Sequence, residues 1–169
     1  MPGPTILEFA CIANACYSPD GSALVSNFTR VHPLLHANGF KGSIWKQGSG
    51  GSMIQVIALA GTDIGDDTGG FDAADVLADT GFAGRTATAT TAILSPGTAV
   101  TMELGRQMLE SQLRDALALA RICIGEGGSA SSNYIVGHSL GGGLAQIVAA
   151  QLRIKGIAFN SPTTSQLGY

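Results

Sequence analysis

Residues 133–152 read Asn-Tyr-Ile-Val-Gly-His-Ser-Leu-Gly-Gly-Gly-Leu-Ala-Gln-Ile-Val-Ala-Ala-Gln-Leu, and within them Gly137-His138-Ser139-Leu140-Gly141 has the form G-x-S-x-G. A serine lifted onto a tight turn between a strand and a helix needs residues without a Cβ two positions before and two after it. Gly137 and Gly141 occupy those two positions. The turn also aims the first backbone N–H groups of the helix at the serine, where the positive end of the dipole stabilises a developing oxyanion. The bare pattern is weak: with 24 glycines among 169 residues, it is expected about 0.3 times by chance. Its surroundings therefore decide the reading. Tyr134, Ile135 and Val136 form an apolar run that reads as a buried strand, and the breaker-free apolar segment 144–154 reads as a helix. A phosphate-binding loop also places glycines between strand and helix, but here they run into Leu144 with no lysine following.

Working outward, Ile54-Gln55-Val56-Ile57-Ala58-Leu59-Ala60-Gly61-Thr62-Asp63 is apolar at nearly every position until it ends in Gly-Thr. That is the pattern of a central strand covered on both faces. Segments 43–47 and 53–60 flank the tip Gly48-Ser49-Gly50-Gly51-Ser52 and read as a hairpin. Thr5 can cap a first helix running to about Cys16, which Ser18-Pro19-Asp20-Gly21 ends. A second helix is expected over 26–37, ended by Asn38-Gly39. The longest helix is expected over 99–124, with an apolar stripe of Val100, Leu104, Met108, Leu113, Leu117 and Ala120 and an outer Glu110–Arg114 pair. Residues 80–98 read as a connector of small side chains. The acidic stretch with Asp63, Asp66, Asp67, Asp72, Asp75 and Asp79 misses the calcium-loop pattern, since its third position is Gly65 and its sixth is Thr68. It reads as a solvated, helix-capping loop.

The Gly-His-Ser-Leu-Gly-Gly core resembles that of the class 3 lipases of the α/β-hydrolase fold. The resemblance extends to three further segments in the family's order: residues 7–17 with Ala15-Cys16-Tyr17 are similar to its first helix, residues 54–63 to its strand ending in Gly-Thr, and Gly156-Ile157-Ala158-Phe159-Asn160-Ser161-Pro162 to its next strand. Ala60 stands where the family has an arginine. The resemblance implies an α/β-hydrolase-like three-layer domain with a largely parallel sheet and right-handed crossovers. It implies Ser139 as nucleophile toward carboxylic esters of lipids or phospholipids, and the backbone N–H groups of Thr62 and Leu140 as oxyanion hole, helped by the Thr62 hydroxyl. No metal and no organic cofactor is implied.

The family's acid and base follow the serine along the chain, yet the 30 residues after Ser139 contain no Asp, Glu or His. The three histidines are His32, His36 and His138. His138 adjoins the serine, but successive side chains point in different directions, so it is expected to aim away from Ser139 Oγ. His32 and His36 read as surface histidines. Residues 1–169 are therefore expected to form one domain, the N-terminal portion of a hydrolase whose Asp and His come from a C-terminal segment or a partner chain. The alternative is a catalytically incomplete module that binds lipid or protein, or one part of a split or processed enzyme. An uncovered edge after 157–159 predicts self-association.

Composition agrees with a single domain of 17.1 kDa. Hydrophobic residues make up 45% and charged residues 12%, about half the usual charged share. A doubly covered sheet or an apolar binding face accounts for such a balance. A net charge of −3 argues against nucleic acid and against attraction to anionic membranes. No apolar run is long enough to span a bilayer, and Glu8 interrupts the stretch that follows an N-terminus without basic residues, so no signal peptide is expected. Cys11, Cys16 and Cys123 form no C-x-x-C pair and read as packing residues.

Overall fold

The computed structural model describes residues 3–17, 25–31, 35–37, 40–61, 96–125, 132–162 and 164. The first helix, α1 (Ile6–Ala15), starts at the expected cap. Thr5 Oγ1 accepts the Glu8 N–H at 3.2 Å and Glu8 Oε2 accepts the Thr5 N–H at 2.8 Å. This reciprocal box satisfies two backbone donors that the helix start leaves unpaired. The bonds to the Thr5 backbone, to Asn27 and to the Thr5 side chain hold the Glu8 carboxyl below its usual range.

The second helix expected over 26–37 does not form. Its described residues contribute β1 (Thr29–Arg30) and β2 (Leu35–Ala37), both antiparallel to β3 (Phe40–Gln47). The physical reason is legible afterwards: a proline at position 33 has no N–H for a helix, and the β-branched Thr29 and Val31 suit a ladder. The Val31 N–H donates to the Ile44 carbonyl at 2.9 Å. The hairpin is present, with β3 pairing β4 (Ile54–Leu59) from Gly42↔Leu59 to Gln47↔Ile54 across a 3-10 turn at Gly50–Ser52.

Beyond the hairpin come α2 (Pro96–Gly125), β5 (Asn133–His138), α3 (Leu140–Leu152) and β6 (Lys155–Phe159). The helix after the serine begins at Leu140, not 144, because the glycines belong to its first turn. The sheet runs β1-β3-β4-β5-β6, with β2 joining β1 along the outer edge of β3. β4, β5 and β6 are parallel while β1 to β4 are antiparallel, so the sheet expected to be largely parallel is so only in its C-terminal half.

Alternation along β4 sorts its side chains into two layers. Val56, Ala58 and Ala60, with Val136 of β5, pack against Phe9, Ile12 and Ala13 of α1. Ile57, Leu59 and Ile135 pack on the other face against Leu109, Leu113 and Ala116 of α2 and Leu140, Leu144 and Val148 of α3. A strand buried on both sides favours apolar residues, which explains a run broken only by the buried Gln55. Of the stripe expected on α2, Leu113 and Ala120 are buried and Met108 and Leu117 pack against the core, whereas Leu104 is 44% exposed; Leu109, Ala116, Leu119 and Cys123 widen the buried face. Its outer ion pair joins Arg106 to Glu110 in place of Glu110 to Arg114. β6 is the last strand on its side and is largely exposed.

Cys16 and Cys123 are buried and free, and Cys11 is half-buried. Cys16 Sγ donates to the Ala58 carbonyl at 3.1 Å and lies 3.3 Å from Ser43 Oγ. Burial pushes its thiol up from 9.0 to about 11. The acidic stretch 63–79, the connector up to residue 95 and His32 lie outside the described residues.

Candidate active site

β5 delivers His138 at its C-terminal end, and the chain turns into α3 at Ser139 with φ 55° and ψ −128°. These angles match the first central position of a type II′ turn, which glycine normally fills. A serine held there carries strain of about 1–3 kcal/mol. Its N–H donates to the Phe159 carbonyl of β6 at 3.0 Å, and its carbonyl accepts the Gly142 and Gly143 N–H groups at 3.0 and 3.2 Å. The hydroxyl makes no capping bond to the helix it precedes. A serine at a helix start ordinarily caps with its side chain; here the backbone twist turns that group away.

The flanking glycines are required by contact. A Cβ on Gly137 would run into the Gly141 carbonyl, and one on Gly141 would meet the Leu59 and Ala60 carbonyls. Strand, helix start and the end of β4 thus close on each other with no space for a methyl group. Gly61 continues this packing: a Cβ there would lie 2.5 Å from the His138 carbonyl and 2.8 Å from Ser139 Cβ. The end of β4 therefore sits against the serine, as an oxyanion-hole strand must. Thr62, the next residue in the chain and the expected donor, lies outside the described residues. Leu140, the other expected donor, is the first residue of α3, and its side chain is buried in the core. An N–H in a helix's first turn has no acceptor within the helix.

His138 turns toward α1. Its Nδ1 lies 3.0 Å from the Tyr17 hydroxyl, and the two rings meet edge-on with centroids 6.0 Å apart. The same hydroxyl accepts the Gly61 N–H at 2.8 Å. His36 belongs to β2, which β3 and β4 separate from β5; three strand spacings amount to roughly 14 Å, beyond the reach of a general base. The arrangement thus brings together Ser139, Gly137, Gly141, Leu140 and the Gly61 backbone, and places neither His36 nor His138 in the role of base.

Two residues with no role assigned from sequence belong to this assembly. Tyr17 links α1, the end of β4 and the residue before the serine. Its only signal was its place at the end of the first helix. Gln146, nearly two turns into α3, donates from Nε2 to Ser161 Oγ at 2.7 Å and to the Pro162 carbonyl at 3.1 Å, and accepts from Thr164 Oγ1 at 3.2 Å. It fixes the segment leaving β6 beside the glycine turn. No sequence pattern marks an amide for that task.

A cavity of about 420 Å³ opens between α1 and the ends of β5 and β6, lined by Ala10, Ala13, Asn14, Tyr17, His138 and Phe159. Among the described residues no cluster of His, Cys, Asp and Glu suits a metal ion, and no helix is long and apolar enough to cross a membrane. Comparison with protein-family models, with curated proteins and with solved structures gives no match.

Proposed function

We propose that the chain is a serine hydrolase of carboxylic esters, of lipase or phospholipase type, in an α/β-hydrolase-like fold. The observation that carries this reading is the backbone of Ser139: a non-glycine residue held at φ 55° between a parallel strand and a helix, with its hydroxyl withdrawn from capping. Strain of this kind persists only where the surroundings enforce it, and it clusters at reactive sites. Ser139 Oγ attacks the acyl carbon, the ester C–O bond breaks, and the leaving alcohol takes up the proton lost from the serine. Water then hydrolyses the acyl-enzyme and restores the hydroxyl. The Leu140 and Thr62 N–H groups hold the oxyanion. The acid and base of the reaction are not among the described residues around Ser139.

A second reading is favoured by the bond between His138 and Tyr17. With that imidazole occupied, the chain is a hydrolase-like module that binds lipid or protein without turnover, or one part of a split or processed enzyme. Fluorophosphonate labelling in the presence of added imidazole as an external base, followed by peptide mapping, separates the two. Incorporation at Ser139 ahead of the other serines, abolished in Ser139→Ala, supports the enzyme; incorporation no faster than in the unfolded chain removes it.

A further inference from the structure

We propose that the cavity between α1 and the ends of β5 and β6 is an acyl pocket for the Ser139 site and takes one unbranched chain of medium length. The inference rests on the hydrolase reading and adds the shape of the substrate.

Its position comes first. His138 immediately precedes Ser139, and Phe159 receives the Ser139 N–H at 3.0 Å. Both residues line the cavity, so its wall is built from the groups that hold the nucleophile. On the α1 side the described lining is Ala10, Ala13, Asn14 and Tyr17. Ile6, Ala10 and Ala13 share one face of α1 at spacings of four and three. The two alanines leave a slot against Phe159, while Ile6, 66% exposed, carries the apolar track outward. A volume of about 420 Å³ lies low in the range of ligand clefts, about 300–1,000 Å³, which suits a single chain. Of the polar lining, Tyr17 and His138 bond one another and Asn14 is exposed to solvent, so hydrocarbon covering the Tyr17–His138 pair strands neither of those two groups.

The test uses fluorophosphonates bearing an ethyl or an octyl chain, each losing fluoride, with the serine proton passing to solvent, as Ser139 Oγ bonds to phosphorus. Burying a chain should accelerate labelling by about three- to fourfold per methylene that enters the pocket. The intact chain is expected to favour octyl by more than about 10-fold. Ala10→Phe and Asn14→Phe fill the slot from the half-buried and exposed sides of α1. They should bring the octyl-to-ethyl ratio close to one, with circular dichroism confirming the fold. Equal rates for the two probes on the wild type, or a ratio left intact by both variants, would overturn the pocket. If neither probe reacts at Ser139 even with added imidazole, the hydrolase reading fails separately, and equilibrium dialysis with decanoate judges the cavity. Saturable binding lost in Ala10→Phe supports it; absent binding, or binding displaced by self-association of the chain, overturns it.

Discussion

The Tyr17 hydroxyl lies 3.0 Å from His138 Nδ1. Since the same oxygen accepts the Gly61 N–H at 2.8 Å, one phenol ties α1 to the two strand ends that flank Ser139. A tyrosine 121 positions away thus sets the distance between the serine and the strand leading to Thr62.

Removing only that oxygen tests its importance. Tyr17→Phe leaves the ring in place but strips the Gly61 N–H and the imidazole of a partner, at a cost of about 1–3 kcal/mol. Urea unfolding is expected to show that loss. Fluorophosphonate labelling of Ser139 should slow by about 10-fold or more, with little change in half-saturating probe concentration. A variant that unfolds earlier yet labels at the wild-type rate would leave Tyr17 a packing residue.

The glycine turn makes a sharper stability prediction. Gly137→Ala and Gly141→Ala drive a methyl group into backbone that cannot rotate aside, and each should destabilise by about 3 kcal/mol or more. Gly51→Ala is the matched control, because nothing lies within 4 Å of the added carbon. Denaturant midpoints for the three variants decide it, and similar midpoints would mean that the turn is looser than its contacts indicate.

Ser139 itself should be a site where stability and activity oppose each other. Its φ of 55° suits glycine, so Ser139→Gly is expected to stabilise the fold by about 1 kcal/mol once the added flexibility of the unfolded chain is discounted. Ser139→Ala keeps the strain and should not stabilise. Both lose labelling. A glycine variant less stable than the alanine variant would show that the turn stores no strain.

How much of this was legible in the sequence follows from the range of the forces involved. The cap at Thr5 and Glu8, the hairpin around Gly50 and the Gly137–Gly141 turn are local, and residue type at fixed spacing is enough to read them. The segment 26–37 failed because Leu34 and Leu35 imitate a helical stripe, while the decisive partner, the free edge of β3, lies elsewhere in the chain. The stripe on α2 was read in part: Met108, Leu113, Leu117 and Ala120 face the core, but period alone does not show how far along the helix the contact with the sheet extends, and Leu104 lies outside it. The bond from Tyr17 to His138 joins residues 121 positions apart, and no local pattern encodes it. Ser139, Gly137, Gly141 and Leu140 were found as a group because one turn holds them all.

Cys16 supplies a pH dependence. Its thiol is held near 11 against 9.0 for an exposed one, so the folded state keeps the proton that the unfolded chain releases first. The contribution is complete below pH 9 and is lost as pH rises toward 11, amounting to about 2–3 kcal/mol. Urea unfolding between those limits should show stability falling with pH, and Cys16→Ala should flatten part of the slope. Iodoacetamide at neutral pH should modify Cys11 and spare Cys16. Rapid alkylation of Cys16 in the folded chain would contradict its burial.

The missing base gives the last test. No imidazole or carboxylate among the described residues bonds Ser139, and the one adjoining ring is held by Tyr17. A serine hydroxyl without a base is a weak nucleophile near neutral pH, and binding with an oxyanion hole leaves at most roughly 10³- to 10⁴-fold over water. The chain alone should therefore hydrolyse p-nitrophenyl butyrate slowly, and added imidazole should raise the rate with saturation once the Ser139→Ala background is subtracted. A base supplied within the chain by a residue outside the described ones would instead make the rate high and insensitive to imidazole. Rapid turnover by the chain alone, unmoved by imidazole and abolished in His138→Ala or His32→Ala, would identify that histidine as the base and refute a base supplied from elsewhere.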